Sequence, residues 1–209
     1  MVRLKKILID DITKRNISSS LEKFQSSRVC IIGLGGLGSN IAVMLARSSI
    51  GELLLVDYDR VETSNLNRQY YFLEDIGSYK CEAMKNIIEK INPFVKVDTR
   101  NIKIEEDNIE ELIKNEKYIL EALDEAESKS MLINKILEKF PDKYIISGSG
   151  MAGVGDSNSI TTKRFMRNLY ICGDGFSDYQ EYSGMMAPRV SLCAAHQANT
   201  VLELIFNEK

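Results

Sequence analysis

With 209 residues, a net charge of −3 and an ordinary share of apolar and charged side chains, the chain is long enough to bury one hydrophobic core without disulfides or a structural metal. That balance gives no electrostatic reason for a nucleic-acid or membrane partner, and neither is expected. No stretch approaches the ~20 apolar residues of a membrane span, and the apolar run before Asp10 and Asp11 is too short for a signal-peptide core, so a cytoplasmic location is expected.

Residues 1–27 read as an N-terminal segment. The first strand is predicted at 28–32 (RVCII), a β-branched run that stops at the loop Gly33-Leu34-Gly35-Gly36-Leu37-Gly38. A helical apolar pattern follows from Asn40 to Ser49, then a second strand at 52–57 (ELLLVD). Residues 78–91 predict a helix with a stripe through Ala83, Ile87, Ile88 and Ile91, ended by Asn92-Pro93 because the proline ring clashes with a helical residue before it. An extended run at 94–98 comes next. Helical patterns at 107–115 and 125–139 flank a strand at 118–123 (YILEAL), and KYIIS at 143–147 leads into a second glycine-rich loop. Strands alternating with helices predict an α/β, Rossmann-like, mostly parallel sheet flanked by helices. Beyond residue 155, ITTKRFM and NLYIC read as an antiparallel extension in the C-terminal part. A polar loop at 173–187, expected to be mobile, precedes a long helix that Pro188 opens and that runs through Phe206. No repeat, low-complexity tract or linker divides the chain, so 1–209 is expected to be a single domain.

The glycine loop has the G-x-G-x-x-G spacing between a strand and a helix, where backbone amides can approach phosphates closely. Asp57 closes the second strand nineteen residues after Gly38, the place for a carboxylate that holds ribose hydroxyls. These features fit a mononucleotide or a dinucleotide equally. The segment after Asp57, DYDRVETSNLNRQYY, places Asp59, Asn65, Asn67, Arg68 and Gln69 just past the strand, with Lys80 entering the next helix. Hydride transfer has no leaving pyrophosphate to neutralise, whereas attack on the α-phosphate of ATP does, and an arginine and a lysine converging there would provide that charge. Asp124, after the strand YILEAL, is placed at the sheet edge where it could hold Mg²⁺; it could equally cap the helix beginning near Glu125. The one histidine, His196, reads as a packing residue in the last helix. A carboxylate nucleophile is already ionised at neutral pH, so its activation needs no general base.

The stretch GLGGLGSNIAVMLARSSIGELLLVDYDRVETSNLNRQYY resembles the core of the ThiF/MoeB superfamily, bacterial relatives of ubiquitin-activating enzymes. The resemblance continues through Lys80, INP at 91–93, Asp124, the loop at 149–153 and MAPRV at 186–190, covering about residues 15–206. The ICGDG segment and the APRV…AAHQAN ending look most like the small ThiF-type proteins of thiamine biosynthesis. The resemblance implies an ATP-dependent adenylation of the C-terminal Gly-Gly carboxylate of a ThiS-like sulfur-carrier protein, with a separate persulfide sulfur donor. It implies ATP and Mg²⁺ as ligands, Asp57 on the ribose, Asn65, Arg68 and Lys80 on phosphates, and Asp124 on Mg²⁺. It also implies a homodimer in which Arg15 reaches the neighbouring subunit's ATP.

The sequence departs from many relatives in two ways. It lacks the two Cys-x-x-Cys pairs of a structural zinc, so no zinc is expected, and Cys30, Cys81, Cys172 and Cys193 read as free thiols. The loop 173–187 contains no cysteine for a covalent link to the carrier; Cys172 just before it could substitute, although a lone cysteine in an apolar strand reads first as a buried hydrophobe. The aromatics Phe176, Tyr179 and Tyr182 and the methionines Met185 and Met186 of that loop are expected to close over the carrier tail and exclude water. Alternative acceptors are a molybdopterin-synthase (MoaD-like) carrier, a peptide or a modified tRNA base, the last disfavoured by the absence of a basic balance. A nicotinamide- or flavin-dependent oxidoreductase and a non-catalytic nucleotide-sensing scaffold also remain open.

Overall fold

A computed structural model describes residues 8–178 and 184–208. Two short helices, α1 (Ile9–Thr13) and α2 (Leu21–Gln25), lead into β1 (Arg28–Ile32), α3 (Gly36–Arg47), β2 (Glu52–Val56), α4 (Lys80–Ile91), β3 (Lys96–Arg100), α5 (Ile109–Ile113) and β4 (Tyr118–Glu121). These are followed by α6 (Ala126–Lys139), β5 (Tyr144–Gly148), β6 (Thr161–Arg164), β7 (Leu169–Gly173) and the long α7 (Ala187–Phe206). The seven strands form one sheet in the order β3-β2-β1-β4-β5-β7-β6. Every pairing is parallel except that of β6 with β7.

Alternation along each strand divides the core between the two faces of the sheet. Val29, Ile31, Leu53, Leu55 and Leu120 face α3, α4 and α7, where Ile41, Leu45, Met84, Ile88, Val190 and Val201 meet them. Cys30, Ile32, Leu54, Val56 and Ile119 face the other way, onto Ile109, Ile113, Leu132 and Ile136 of α5 and α6. The chain therefore winds in both directions from β1, and the switch between β1 and β4 opens a crevice at the carboxyl ends of the strands.

The expected strands and the antiparallel pair are present, with ends shifted by one or two residues. Two helices differ more. The helix expected from Asn40 starts at Gly36, because Gly35 is its N-terminal flanking residue and the glycine loop itself makes the first turn. The helix expected at 107–115 shrinks to Ile109–Ile113, whose two isoleucines are its buried residues. Asn92 ends α4 in an extended conformation, as the following proline requires, and its buried amide donates to the Ala46 carbonyl at 3.0 Å and to Ser49 Oγ at 3.1 Å. Among the described residues no helix is long and apolar enough to cross a membrane.

Candidate active site

The glycine loop is held by its packing. Gly33 has φ of +90°, and a Cβ there would lie 2.6 Å from the Ala122 carbonyl oxygen, so the loop can turn only with glycine at this point. A Cβ on Gly38 would collide with the Gly33 carbonyl, which closes the turn onto the start of α3. Gly35 and Gly36 do a different job. Beside Gly35 lies the amide of Gln69, 3.8 Å from where a Cβ would be; a Cβ on Gly36 would crowd Val190 at 3.0 Å, with the stem of Arg68 at 3.8 Å. The 65–70 segment is docked there by α3: Asn40 donates to the Arg68 carbonyl at 3.0 Å, and Ser39 Oγ accepts from the Tyr70 amide at 2.9 Å.

Asp57 sits directly after β2 and is 9% exposed. Its Oδ2 accepts from the Leu34 amide of the glycine loop at 2.6 Å and its Oδ1 from the Asp59 amide at 2.8 Å. Each oxygen keeps a lone pair for a further donor, such as a ribose hydroxyl. Burial pushes the Asp57 carboxyl above the ordinary carboxylate range, against the opposing pull of Lys80 and the two amides. Lys80, at the start of α4 and nearly buried, places Nζ 2.7 Å from Asp59 and 3.9 Å from Asp57. It therefore stands at the Asp57 side of the loop, paired with Asp59.

Arg68 stands at the opposite side, by Gly36. Its Nη1 donates to the Ser64 carbonyl at 3.2 Å and to Asn67 Oδ1 at 2.8 Å, and no carboxylate neutralises it among the described residues. Asn65 is buried, with Oδ1 accepting from the Glu62 amide at 3.1 Å. Gln69 is 8% exposed, and its Oε1 has no hydrogen-bond partner. A buried orphan acceptor beside an open glycine leaves room for a donor from a ligand.

Asp124 lies on the turn after β4, exposed and without a hydrogen bond or ion pair among the described residues. It does not cap α6; the flanking position is Glu125, whose side chain makes no cap bond. One free carboxylate suits Mg²⁺ on a nucleotide, since that ion keeps waters and phosphate oxygens as its other ligands. No group of three or more metal-ligating side chains is present among the described residues. Arg15 is exposed and lines a groove of 460 Å³ with Phe24, Arg47 and Phe206. Arg47 ends α3 whereas Gly36 begins it, so Arg15 lies about 18 Å along that helix from its own glycine loop.

All four cysteines are free and buried. Burial raises the Cys172 thiol, which lies 3.5 Å from Thr162 Oγ1, and lifts Cys81 and Cys193 to about 12. A bulky disulfide reagent is accordingly expected to label none of them in the native protein and all four after unfolding; native labelling of Cys172 would reopen its covalent role. His196 is half-buried and hydrogen-bonded, with Nδ1 2.9 Å from Thr162 Oγ1. Of the loop expected to close over a tail, Phe176, Met185 and Met186 are described, whereas Tyr179 and Tyr182 lie outside the described residues.

The family model described as the ThiF family matches residues 6–209. The chain belongs to the ThiF family. It is similar to the molybdopterin-synthase adenylyltransferase of Haemophilus influenzae, with 30% identity over 190 residues that cover 85% of this chain and 74% of the relative. It is also 38% identical over 130 residues to the adenylyltransferase and sulfurtransferase UBA4 of Debaryomyces hansenii, covering 62% of this chain but only 29% of that longer protein. Among solved structures it shares its fold with the Escherichia coli tRNA N6-threonylcarbamoyladenosine dehydratase TcdA in complex with ATP. That likeness has a TM-score of 0.83 at 20% identity and covers 93% of this chain and 91% of the other. In the ThiF family member described here Asp57 accepts from the Leu34 amide of the glycine loop, and the stem of Arg68 lies beside Gly36 of the same loop.

Two charge pairs, each with a wholly buried carboxylate, were not among the expected site residues. Glu121 pairs with Lys129, and Asp174 with Arg189, at 2.5 Å each. Both left a trace in the sequence. Glu121 interrupts an otherwise apolar strand, and Arg189 puts a cation in the first turn of a helix, where the dipole disfavours it.

Proposed function

We propose that this chain adenylates the C-terminal Gly-Gly carboxylate of a small ubiquitin-like sulfur-carrier protein of the ThiS type, in the formation of the thiamine thiazole. The reaction takes carrier carboxylate and MgATP to carrier acyl-adenylate and pyrophosphate. The observation that carries this reading is Arg68, an arginine without a carboxylate partner among the described residues, whose stem lies beside Gly36 of the glycine loop.

In this reading Asp57 accepts the ribose hydroxyls with its remaining lone pairs, while the amides at the start of α3 receive phosphate oxygens. Arg68 and Lys80 sit at the two ends of the loop, where charge moving onto the β- and γ-phosphates is neutralised. Lys80 must then leave Asp59 for phosphate, and Asp59 serves as its resting partner. Gln69 offers its unpaired Oε1 to a donor on the nucleotide, and Asn65 shapes the turn on which both stand. Asp124 is the residue that would hold Mg²⁺, which would supply charge neutralisation at the phosphates. Arg15 cannot serve its own site from the far end of α3, so its role requires a homodimer in which it enters the partner's crevice. Sulfur comes from a separate persulfide donor after adenylation.

Replacing Asp57 with alanine removes two charge-assisted acceptors and is expected to weaken ATP binding about 10- to 100-fold in calorimetric titration, each such bond being worth roughly 1.5–3 kcal/mol. Unchanged affinity would remove Asp57 from the site.

The similarity to the Haemophilus influenzae molybdopterin-synthase adenylyltransferase supports a second reading, with a MoaD-like carrier as acceptor. ATP–pyrophosphate exchange against a panel of purified carriers separates the two. Exchange driven best by a ThiS-like protein supports the thiazole role. Exchange driven only by a MoaD-like protein, by a peptide or by tRNA overturns it.

A further inference from the structure

The polar cluster at the end of β4 has no part in the chemistry above. Glu121 is the last residue of β4 and is wholly buried. Its Oε2 accepts from Lys129 Nζ at 2.5 Å and from Ser147 Oγ at 2.5 Å, and its Oε1 accepts from the Leu123 amide at 2.7 Å. Lys129 also donates to the Gly148 carbonyl at 3.0 Å, and Gln197 bridges the carbonyls of Glu121 and Ile146 at 3.1 Å each. Taking the wholly buried Glu121 charge out of water costs several kcal/mol while Lys129 keeps 23% of its side chain exposed, and apolar replacements of such pairs are often neutral or stabilising. Stability therefore does not account for the pair.

Its geometry does. The Leu123 amide is one residue before Asp124. On the other side of the same turn, the Ala122 amide donates to the Ile32 carbonyl at 2.8 Å, and the Ala122 carbonyl abuts Gly33. The turn 122–124 is thus pinned to the glycine loop by its backbone and to the sheet interior by the Glu121 carboxylate. That carboxylate is itself fixed from α6 by Lys129 and from β5 by Ser147. We infer that Glu121 is a positioning residue: through its ion pair with Lys129 it fixes the turn that carries Asp124, and so sets the affinity of the nucleotide site for Mg²⁺. The inference rests on the proposed role of Asp124 as the magnesium ligand.

The test uses the whole protein with Glu121→Gln, and the double variant Glu121→Gln/Lys129→Met, which leaves no unpaired ammonium if the single variant folds poorly. Hydrogen–deuterium exchange of the peptide spanning 122–125 reads the turn. Calorimetric binding of a non-hydrolysable ATP analogue across a magnesium titration reads the site. The expected results are faster exchange at 122–125 and a magnesium midpoint raised about 10- to 100-fold, the usual scale for losing the support of a metal ligand. Affinity for the analogue without magnesium should stay as in the wild type. In an Asp124→Ala background, Glu121→Gln should raise the midpoint no further. A folded double variant with the wild-type midpoint overturns the inference, as does a shift that persists undiminished without Asp124. Wild-type protein that binds no analogue at any magnesium concentration overturns the adenylation reading and this inference together; a wild-type magnesium dependence that Glu121→Gln leaves in place overturns this inference alone.

Discussion

Arg68→Ala is expected to lower carrier-dependent pyrophosphate exchange about 10²- to 10³-fold while leaving the melting temperature unchanged, the loss expected for removing one preorganised donor from a transition-state site. Both halves follow from where the side chain stands. The guanidinium bonds to the Ser64 carbonyl and to Asn67 Oδ1 and has no salt bridge among the described residues, so truncating it should cost no more than about 0.5 kcal/mol of stability. What docks the 65–70 segment on α3 is the backbone of residues 68 and 70, which alanine keeps. Arg68→Lys should recover part of the activity, because it restores the charge without the planar fork. Exchange at the wild-type rate in Arg68→Ala, measured beside a thermal melt, would take Arg68 out of the chemistry. A scaffold without activity would show no exchange to lose.

The largest stability effect is expected at Asp174, where alanine should cost about 3–5 kcal/mol in chemical denaturation. The Asp174 side chain is fully buried and Arg189 is 8% exposed, and they meet at 2.5 Å. Arg189 also donates to the Asp156 carbonyl at 3.0 Å, and its Nε has no partner, so removing Asp174 strands a cation that is already incompletely satisfied. The double variant Asp174→Ala/Arg189→Met should recover much of the loss, since it leaves no unpaired charge. Asp174 also carries a pH signature. Burial pushes its carboxyl up, but the Ser177 and Phe176 amides and Arg189 outweigh burial and hold it below the ordinary value of 3.8. A carboxyl lowered in the folded state contributes stability that is present above its unfolded pKa and is lost as pH falls through the folded one. The wild type should therefore lose this contribution below about pH 4, and Asp174→Ala should lack that part of the acid limb.

Most of the sheet was legible because its strands are short apolar runs between helices of clear period, and the Gly33–Gly38 loop marks where one gives way to the other. Asp57 was legible for the same reason, standing at a fixed distance behind that loop. The helix start at Gly36 was not, because glycines are poor helix formers and only the packed loop makes them one. Arg68 and Gln69 are placed beside Gly35 and Gly36 by α3, through Asn40 and Ser39, a long-range docking that no local pattern records. The resting pair of Lys80 with Asp59 and the two ion pairs with buried carboxylates are tertiary in the same sense. Strand register brings Glu121 beside Ser147, and the α6 backbone brings Lys129 to Glu121 and to the Gly148 carbonyl.

The most direct measurement is the intact mass of a purified ThiS-like carrier after incubation with the protein, MgATP and pyrophosphatase, quenched in acid. The account predicts a carrier heavier by one adenylyl group, formed only when its terminal Gly-Gly carboxylate is free and lost with Arg68→Ala. A carrier of unchanged mass, with NAD(H) rather than ATP binding at the glycine loop, would contradict it.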